Sequence, residues 1–173
     1  MTTVDATTIE TPCGPFSMLA RGDTVLASGW TTDLTELAAL IAPAARPVEW
    51  RSRRDLGVVT AAVRAYFAGD LSAATSVDVS QQGGPFIQLA RQQLRQIRPG
   101  ATVTYRELAA RSGRPDAIRA AASACSRNPT ALFVPCHRVV RTGGDLGGFR
   151  WGLPVKRWLL DHESDGVSRA TAG

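Results

Sequence analysis

Residues 133–140 read FVPCHRVV and place one thiol, Cys136, beside one imidazole, His137, between apolar residues. The thiolate is the attacking form of cysteine, and an ordinary thiol titrates at about 8.5, so it needs a base. An imidazole can serve, directly or through one water, when a third group holds its tautomer. A bare Cys-His pair on its own favours the plainer interpretation, a buried structural cysteine beside a surface histidine. Pro135 and the apolar flanks favour a buried segment that holds the cysteine at a fixed depth.

Several residues around this stretch have side chains suited to the same chemistry. Glu163 lies at the end of a predicted helix over residues 154–163, and Asn128 lies shortly before the Cys-His pair. Arg119 and Tyr105 lie further upstream. The motifs, in chain order, are TYRELA (104–109), RAAASAC (119–125), NP (128–129), PCHRVVR (135–141), GGFRWG (147–152) and KRWLL (156–160).

These motifs, in this order and spacing, resemble the O6-alkylguanine-DNA alkyltransferase family of direct-reversal DNA repair proteins. The alkyltransferase domain of the bacterial adaptive-response regulator Ada is especially similar. The resemblance is dense over residues 86–163 and faint before them. It implies a protein that flips O6-alkylguanine, with O4-alkylthymine as a further candidate lesion, out of double-stranded DNA. It also implies irreversible transfer of the alkyl group to Cys136 in a single turnover.

The chemistry of the residues is consistent with that reaction. Attack at a saturated carbon needs a soft thiolate, a water-poor pocket and a stabilised leaving group, and it needs no cofactor. The target atom is stacked inside the duplex, so the base must be flipped. The resemblance implies that His137 is the base for Cys136, acting through a water, and that Glu163 orients the imidazolium. It implies that Asn128 fixes the hinge before the active loop.

The resemblance also implies which residues contact DNA and the flipped base. Arg119 would fill the gap left in the base stack from the minor groove, and Tyr105 would displace the target phosphate and donate to the base. Without the resemblance, both would be ordinary surface or half-buried residues, and Glu163 a surface carboxylate. The predicted DNA-binding residues are Tyr105, Arg119, Ala120, Ser123 and Arg127. The predicted pocket residues are Tyr105, Val139, Phe149, Arg150 and Trp151.

Three positions stand out within this pattern. Phe149 stands where the family usually has a tyrosine, which predicts an intact pocket wall but the loss of a hydroxyl near the guanine. Arg91 stands where a tryptophan is common, which predicts a changed domain contact and unchanged chemistry. Cys125 matches the Ada-type pattern and is predicted to be a packed helix residue.

Composition indicates a globular protein of 173 residues with no membrane partner. It is 44% hydrophobic and 20% charged, with no apolar run long enough for a transmembrane helix and no recognisable secretory signal. Three cysteines without framework spacing favour a reducing compartment, so a cytoplasmic location is predicted. Two histidines and no CxxC predict that no structural metal site is present.

Positive charge is concentrated in the C-terminal half. Residues 85–160 hold 13 basic and three acidic residues, whereas residues 1–84 hold six basic and nine acidic ones. Of the 20 basic residues 19 are arginine, the side chain suited to phosphate oxygens. A GC-rich genome would explain arginine over lysine but not the uneven placement. The pattern predicts a monomer that binds nucleic acid through its second half.

The order of elements predicts an α+β fold with two domains. Residues 1–82 are predicted to form a small α/β, RNase H-like domain with a short antiparallel sheet, including strands at 7–11, 16–21, 25–30 and 76–79. Residues 83–165 are predicted to form a mainly helical, winged helix-turn-helix domain. Its two central helices are predicted at residues 105–110, after a capping box at Thr104, and 115–126. Residues 166–173 are predicted to be a flexible tail.

Three other classes of function compete with alkyl transfer. A weakly active or non-catalytic lesion-binding protein is the main alternative, which Cys136 disfavours and Phe149 leaves open. A winged-helix regulator would need a further DNA-binding or zinc-thiolate domain that the sequence does not contain. A cysteine hydrolase would need an oxyanion loop, and none is recognisable.

Overall fold

A computed structural model describes residues 3–172, leaving out the side chains of residues 170–172. Six strands and six α-helices occur within the described residues, which confirms the predicted α+β class. No helix in this part of the chain is long and apolar enough to cross a bilayer.

The described chain divides into two compact units. One contains residues up to Gln82 together with Pro129–Phe133, and the other contains Gly83–Asn128 and the residues from Val134 onward. A short excursion of the chain therefore returns to the first unit immediately after Asn128. The predicted division placed those five residues in the second domain, because sequence order alone does not reveal which unit such a segment joins.

A four-stranded sheet in the order β3-β2-β1-β4 forms the centre of the first unit. Strands β1 (Val4–Thr11), β2 (Gly14–Arg21) and β3 (Thr24–Gly29) are antiparallel neighbours, and the two-residue β4 (Arg51–Ser52) lies parallel to β1. Gly22 adopts φ +60° in the turn between β2 and β3, a conformation that favours glycine. Five of the eight residues of β2, a central strand, are buried, and so are five of the six residues of the edge strand β3.

Two helices complete the first unit. Helix α1 (Leu34–Ala38) begins after Asp33, whose Oδ1 accepts hydrogen bonds from the backbone N–H groups of Thr35 and Glu36. Asp33 is therefore the N-cap residue of α1. Helix α2 (Val58–Phe67) buries one face, formed by Val59, Thr60, Val63 and Tyr66.

Four helices make up most of the second unit. They are α3 (Pro85–Leu94), α4 (Tyr105–Arg111), α5 (Ile118–Ser126) and α6 (Leu153–Ala172). Helices α3, α4 and α5 pack against one another. The turn between α4 and α5 contains Gly113, so the two predicted central helices and their glycine-containing turn are present.

Two very short parallel strands join distant parts of the second unit. β5 (Val103–Thr104) pairs with β6 (Val139–Val140), which directly follows the Cys-His stretch. Thr104 then caps α4: its hydroxyl accepts from the N–H of Glu107, and the Glu107 carboxylate accepts from the N–H of Thr104. The predicted capping box is confirmed, and it ties the start of α4 to the strand beside β6.

The structure corrects two predicted elements. The strand predicted at residues 76–79 is only an isolated bridge between Val79 and Val25. Residues 166–172, predicted as a flexible tail, continue helix α6. Val167 lies against Gly100, where an added Cβ would be 2.8 Å from Val167 Cγ2. The polar local sequence around Val167 does not reveal this contact, because its partner lies far away along the chain.

Candidate active site

A cavity of about 680 Å³ lies in the second unit, and all residues that line it belong to that unit. Its walls come from α4, α5, the Asn128 hinge, the Cys-His stretch and the loop before α6. Eight of the predicted site residues line it: Tyr105, Arg119, Ser123, Asn128, Cys136, Phe149, Arg150 and Trp151. The cavity therefore unites motifs that are well separated in the sequence.

Cys136 is held rigidly at this cavity. It is the first residue of a single 3-10 turn, Cys136–Arg138, and its N–H donates to Val134 O at 2.8 Å. Only 8% of the residue is exposed. Burial raises the pKa of the Cys136 thiol, and a hydrogen bond with Asn128 and the charge of Lys156 oppose that shift only in part. The resting group is therefore a thiol, and its reaction needs a base.

Asn128 connects α5 to the segment that carries the thiol. It directly follows Arg127, the C-cap residue of α5, and its N–H donates to Cys125 O at 3.2 Å. Its side-chain Nδ2 donates to Val134 O at 2.8 Å, and the side chain also hydrogen-bonds Cys136. This buried amide therefore links the end of α5 to the segment that carries the thiol.

His137, the residue after Cys136, forms a buried pair with Glu163. The distance from His137 Nε2 to Glu163 Oε2 is 2.6 Å, and both side chains are fully buried. Burial lowers the pKa of His137, although Glu163 opposes that shift, so the imidazole is neutral at neutral pH. The other ring nitrogen, Nδ1, is buried and has no hydrogen-bond partner among the described protein atoms. The carboxylate thus selects the tautomer with hydrogen on Nε2, which leaves Nδ1 able to accept a proton.

Arg138 is a third member of this buried group, and its role was not predicted from the sequence. Its Nε donates to Glu163 Oε1 at 2.8 Å, its Nη2 donates to Oε2 at 3.1 Å, and its Nη1 donates to Ile97 O at 2.7 Å. Burial would raise the pKa of Glu163, but His137 and Arg138 outweigh burial and hold that pKa far below its ordinary value. Glu163 therefore remains ionised at any physiological pH.

Lys156 places a cation near the Cys136 thiol. It is the only lysine in the chain, and its fully buried Nζ donates to Val139 O at 2.7 Å and Gly148 O at 3.2 Å. Burial lowers the pKa of Lys156, and its attraction to Cys136 and Cys125 opposes that shift. A single lysine among 19 arginines is a sequence signal that could have identified this position.

Tyr105 enters the cavity from the first residue of α4. The backbone N–H of Gly148 donates to its phenolic oxygen, and burial raises the pKa of the phenol, so Tyr105 keeps its own proton for donation. Gly147, at φ +74°, packs against this ring: an added Cβ would lie 2.9 Å from Tyr105 Oη. The two glycines hold the tyrosine without a competing side chain.

Helix α5 presents small side chains and one arginine to the cavity. Ala122 and Ser123 line the cavity, and the exposed Arg119 lies at its edge. Two predicted DNA-binding residues do not line the cavity: Ala120 is half-buried on the same helix, and Arg127 is exposed at its C-terminal end.

Two pocket predictions need correction. Val139 does not line the cavity, because its side chain is fully buried where β6 pairs with β5. Cys125, predicted to be only a packed residue, does line it. Burial strongly raises the pKa of Cys125, so this second thiol stays protonated. The predicted wall residues Phe149, Arg150 and Trp151 are consecutive in the chain, and all three line the cavity.

Arg91 makes its described hydrogen bonds within the second unit. It lies on α3 within the second unit and is only 6% exposed. Its Nε donates to Ala124 O at 3.3 Å and its Nη2 donates to Arg127 O at 3.0 Å. These carbonyls belong to the C-terminal end of α5, so the described contacts of Arg91 support the active site. The described residues contain no cluster of three or more potential metal ligands.

Comparison with known proteins shows which family this chain resembles. The family model for 6-O-methylguanine DNA methyltransferase, DNA binding domain, matches residues 85–165. A probable methylated-DNA–protein-cysteine methyltransferase of Acanthamoeba polyphaga mimivirus is 45% identical over 98 residues, which is 57% of this chain and 65% of that protein. The bifunctional activator and repair enzyme Ada of Escherichia coli is 48% identical over 88 residues, 51% of this chain and 25% of Ada. The chain thus spans less than two thirds of either relative.

Solved structures extend the similarity to the whole fold. A variant of Mycobacterium tuberculosis O6-methylguanine methyltransferase is 30% identical, covers 94% of this chain and 93% of that one, and has a TM-score of 0.76. M. tuberculosis OGT in complex with DNA has a TM-score of 0.78 at 29% identity and 94% coverage of both chains. This chain belongs to the O6-methylguanine-DNA methyltransferase family.

Proposed function

We propose that this protein repairs alkylated double-stranded DNA by moving the alkyl group of O6-alkylguanine onto Cys136, once and irreversibly. The observation that carries the proposal is a buried thiol at a cavity of about 680 Å³. The next residue in the chain, His137, forms a fully buried pair with Glu163. A cavity of this size is comparable with known small-molecule sites and suits a flipped base. O4-alkylthymine is a further candidate substrate.

The thiol is activated by a proton path that ends on His137. Cys136 is protonated at rest because burial raises its pKa, and Nδ1 of the neutral imidazole is available as the acceptor. A bridging water would carry the proton between them. The imidazolium that results faces the ionised Glu163 at 2.6 Å, so the charge that forms inside the protein is stabilised at once.

The transfer step balances without a cofactor. The thiolate sulfur attacks the alkyl carbon, the S–C bond forms as the C–O6 bond breaks, and the electron pair remains on the guanine. The proton that Cys136 gave to His137 is then passed to the guanine ring, so that guanine leaves as the neutral base. Tyr105 is positioned to donate toward the developing negative charge, because its oxygen accepts from Gly148 and its proton is free to point into the cavity.

Double-stranded DNA is the proposed partner, with α4 and α5 as a helix-turn-helix and Arg119 as the residue that replaces the flipped base. The excess of basic over acidic residues in 85–160 would attract phosphates. Ala120, Ser123 and Arg127 are proposed to contact the DNA. Small side chains on α5 would let the helix approach a groove closely.

We propose an RNase H-like first domain at residues 1–82, a winged helix-turn-helix domain at residues 83–165, and a monomer that works in the cytoplasm. The predicted pocket wall of Phe149, Arg150 and Trp151 would face the flipped base, and Asn128 would keep the hinge fixed.

The test is a mass measurement. The protein is incubated with an equimolar duplex containing one O6-methylguanine, and intact mass is followed by peptide mapping. One added methyl group on the peptide that contains Cys136 is expected, with no further gain on excess DNA. Cys136→Ser should bind the duplex and gain nothing.

Other results would separate the alternatives. Binding of the methylated duplex without a gain in mass would indicate a lesion-binding protein. A methyl group on Cys13 or Cys125 would refute Cys136 as the acceptor. Repeated turnover would exclude the suicide reaction.

A further inference from the structure

The C-terminal end of α5 carries a buried cation that the mechanism above does not use. In any α-helix the last carbonyl groups lack N–H partners, and the helix dipole makes this end attractive to a positive charge. The Arg91 guanidinium occupies this position with two hydrogen bonds, from Nε to Ala124 O and from Nη2 to Arg127 O. One planar group therefore links the last turn of the helix to its C-cap residue.

We propose that Arg91 is a positioning residue for alkyl transfer, which fixes the end of α5 so that Asn128 holds Cys136 in its reactive place. This inference rests on the proposed function and adds a residue of α3 to a site otherwise built from α4, α5, α6 and the Cys-His stretch. The connection is short. Arg127, whose carbonyl accepts from Arg91, is followed at once by Asn128, whose amide bonds both Val134 O and Cys136.

Arg91 has a second effect besides positioning: its charge makes the Cys136 thiol easier to ionise. Arg91 favours the thiolate of Cys136 electrostatically, and the thiolate in turn favours the charged guanidinium. Such an attraction is stronger inside a protein than in water, because the surroundings screen it less. Loss of the charge should therefore make the thiol harder to ionise as well as less well placed.

Two substitutions separate these effects. Arg91→Lys keeps the charge but replaces the planar fork with a single ammonium group, which does not bridge the two carbonyls in the same way. Arg91→Gln removes the charge and keeps one amide donor. Arg98→Gln is the matched control, because Arg98 is an exposed arginine just beyond the same helix.

Each variant is assayed in two ways on the full chain. The first is single-turnover methyl transfer at saturating methylated duplex. The second is labelling of Cys136 by iodoacetamide without DNA between pH 7 and 9, followed on the tryptic peptide 128–138. The other groups near the Cys136 sulfur are unchanged in every variant: its own backbone N–H, His137 next to it in the chain, Asn128, Lys156 from α6, Cys125 from α5 and Tyr105 from α4.

Arg91→Gln should transfer about tenfold more slowly, and its labelling profile should move upward by about half a pH unit, equivalent to about threefold slower labelling at one pH. Arg91→Lys should keep the wild-type labelling profile while its transfer slows. Arg98→Gln should behave as wild type in labelling. A purely structural role predicts the opposite change: a loosened pocket exposes the thiol, and labelling becomes faster.

Labelling of Arg91→Gln at the wild-type rate or faster would overturn the inference. If this variant does not fold, Arg91→Lys decides, because wild-type methyl transfer in that variant would exclude positioning. Failure of the proposed function is a different result: wild type would then not accept a methyl group at all, while the labelling comparison still measures how Arg91 affects Cys136.

Discussion

Arg138 binds Glu163 through two parallel hydrogen bonds, 2.8 Å from Nε to Oε1 and 3.1 Å from Nη2 to Oε2, with both side chains buried. The same carboxylate accepts from His137. One negative charge thus serves a permanent cation and an imidazole that, in the proposed mechanism, becomes charged only during reaction. Arg138 keeps the carboxylate ionised and in place, so Glu163 can stabilise the imidazolium without first moving or losing a proton.

Glu163→Gln should therefore destabilise the protein and stop rapid transfer. Removing one partner of a buried pair leaves the Arg138 charge uncompensated, which costs about 3–5 kcal/mol. Urea unfolding at pH 7.5 measures the loss. Asp165→Asn, at an exposed carboxylate on the same helix, is the control and should change stability little. A Glu163→Gln protein as stable as wild type would mean that the buried group contributes no net stability.

Acid should destabilise the wild-type protein in two stages. The pKa of His137 is lowered from 6.5 by burial, so below about pH 6.5 the unfolded chain binds a proton that the folded protein resists. The pKa of Glu163 is lowered from 4.5 by its partners despite burial, so its contribution is present above 4.5 and is lost as pH falls further.

Urea midpoints measured from pH 8 to pH 3 should thus be level at first, decline below about 6.5 and decline more steeply below about 4.5. In Glu163→Gln the second stage should be weaker. A midpoint that rises as pH falls from 6.5 to 5 would contradict a neutral, buried His137.

The sequence predicted the parts of this site that lie in contiguous motifs. Cys136 and His137 are neighbours, Thr104 and Glu107 form a local capping box, and α4 and α5 follow local helix patterns. Each of these depends on residues a few positions apart. Their order also carried the family resemblance.

Residues whose roles depend on burial were missed. A sequence shows that Arg138 and Lys156 are charged, but it does not show that both are buried or that Lys156 Nζ reaches Val139 O in a distant segment. The hydrogen bonds from Arg91 to the end of α5 were not predicted, because they join residues that lie far apart in the sequence. Val139 was predicted in the pocket wall because the sequence did not reveal the short strand that buries it.

DNA binding should weaken steeply with salt, because each phosphate contact made by the basic segment releases a counterion. Fluorescence anisotropy with an unmodified duplex from 50 to 300 mM salt measures the slope. Arg64→Ala, at an exposed arginine paired with Asp55 in the first unit, should leave the slope unchanged. Affinity that is constant over this range would refute an electrostatic interface.

Arg119→Ala should impair base flipping more than binding. Arg119 is exposed at the edge of the cavity, where it can enter the space that the flipped base vacates. A 2-aminopurine beside the lesion reports unstacking, and anisotropy with an unmodified duplex reports binding. Equal losses in the two assays would show that Arg119 is only a phosphate contact.

Gly147→Ala should slow transfer by displacing Tyr105. Gly147 has φ +74°, and a Cβ there would lie 2.9 Å from the Tyr105 oxygen and 3.1 Å from its ring. A displacement of a few tenths of an ångström to about 1 Å in a donor can cost about 10- to 100-fold in rate. Single-turnover transfer measures the effect.

Gly144→Ala is the matched control, since Gly144 has φ +95° but nothing within 4 Å of a Cβ. Both variants bear the strain of an alanine in the left-handed region, and only Gly147→Ala meets the tyrosine. Equal slowing in the two variants would attribute the effect to backbone strain instead of the tyrosine.

Phe149→Tyr should accelerate transfer. Phe149 lines the cavity with Tyr105, so a hydroxyl on its ring would add a second donor near the base. Negative charge builds on the guanine as sulfur attacks, and a donor placed there stabilises the transition state more than the ground state. A neutral hydrogen bond contributes about 1 kcal/mol net, which corresponds to a gain of about tenfold or less.

The measurement is single-turnover transfer at saturating methylated duplex, which removes differences in binding. Phe149→Leu is the control for the wall: it keeps an apolar side chain but loses the aromatic face, and it should slow transfer. If the ring matters only as a wall, phenylalanine already supplies all that is needed and Phe149→Tyr will leave the rate unchanged. An unchanged or lower rate in Phe149→Tyr would show that this pocket is adapted to phenylalanine and that Tyr105 alone supplies the side-chain donor.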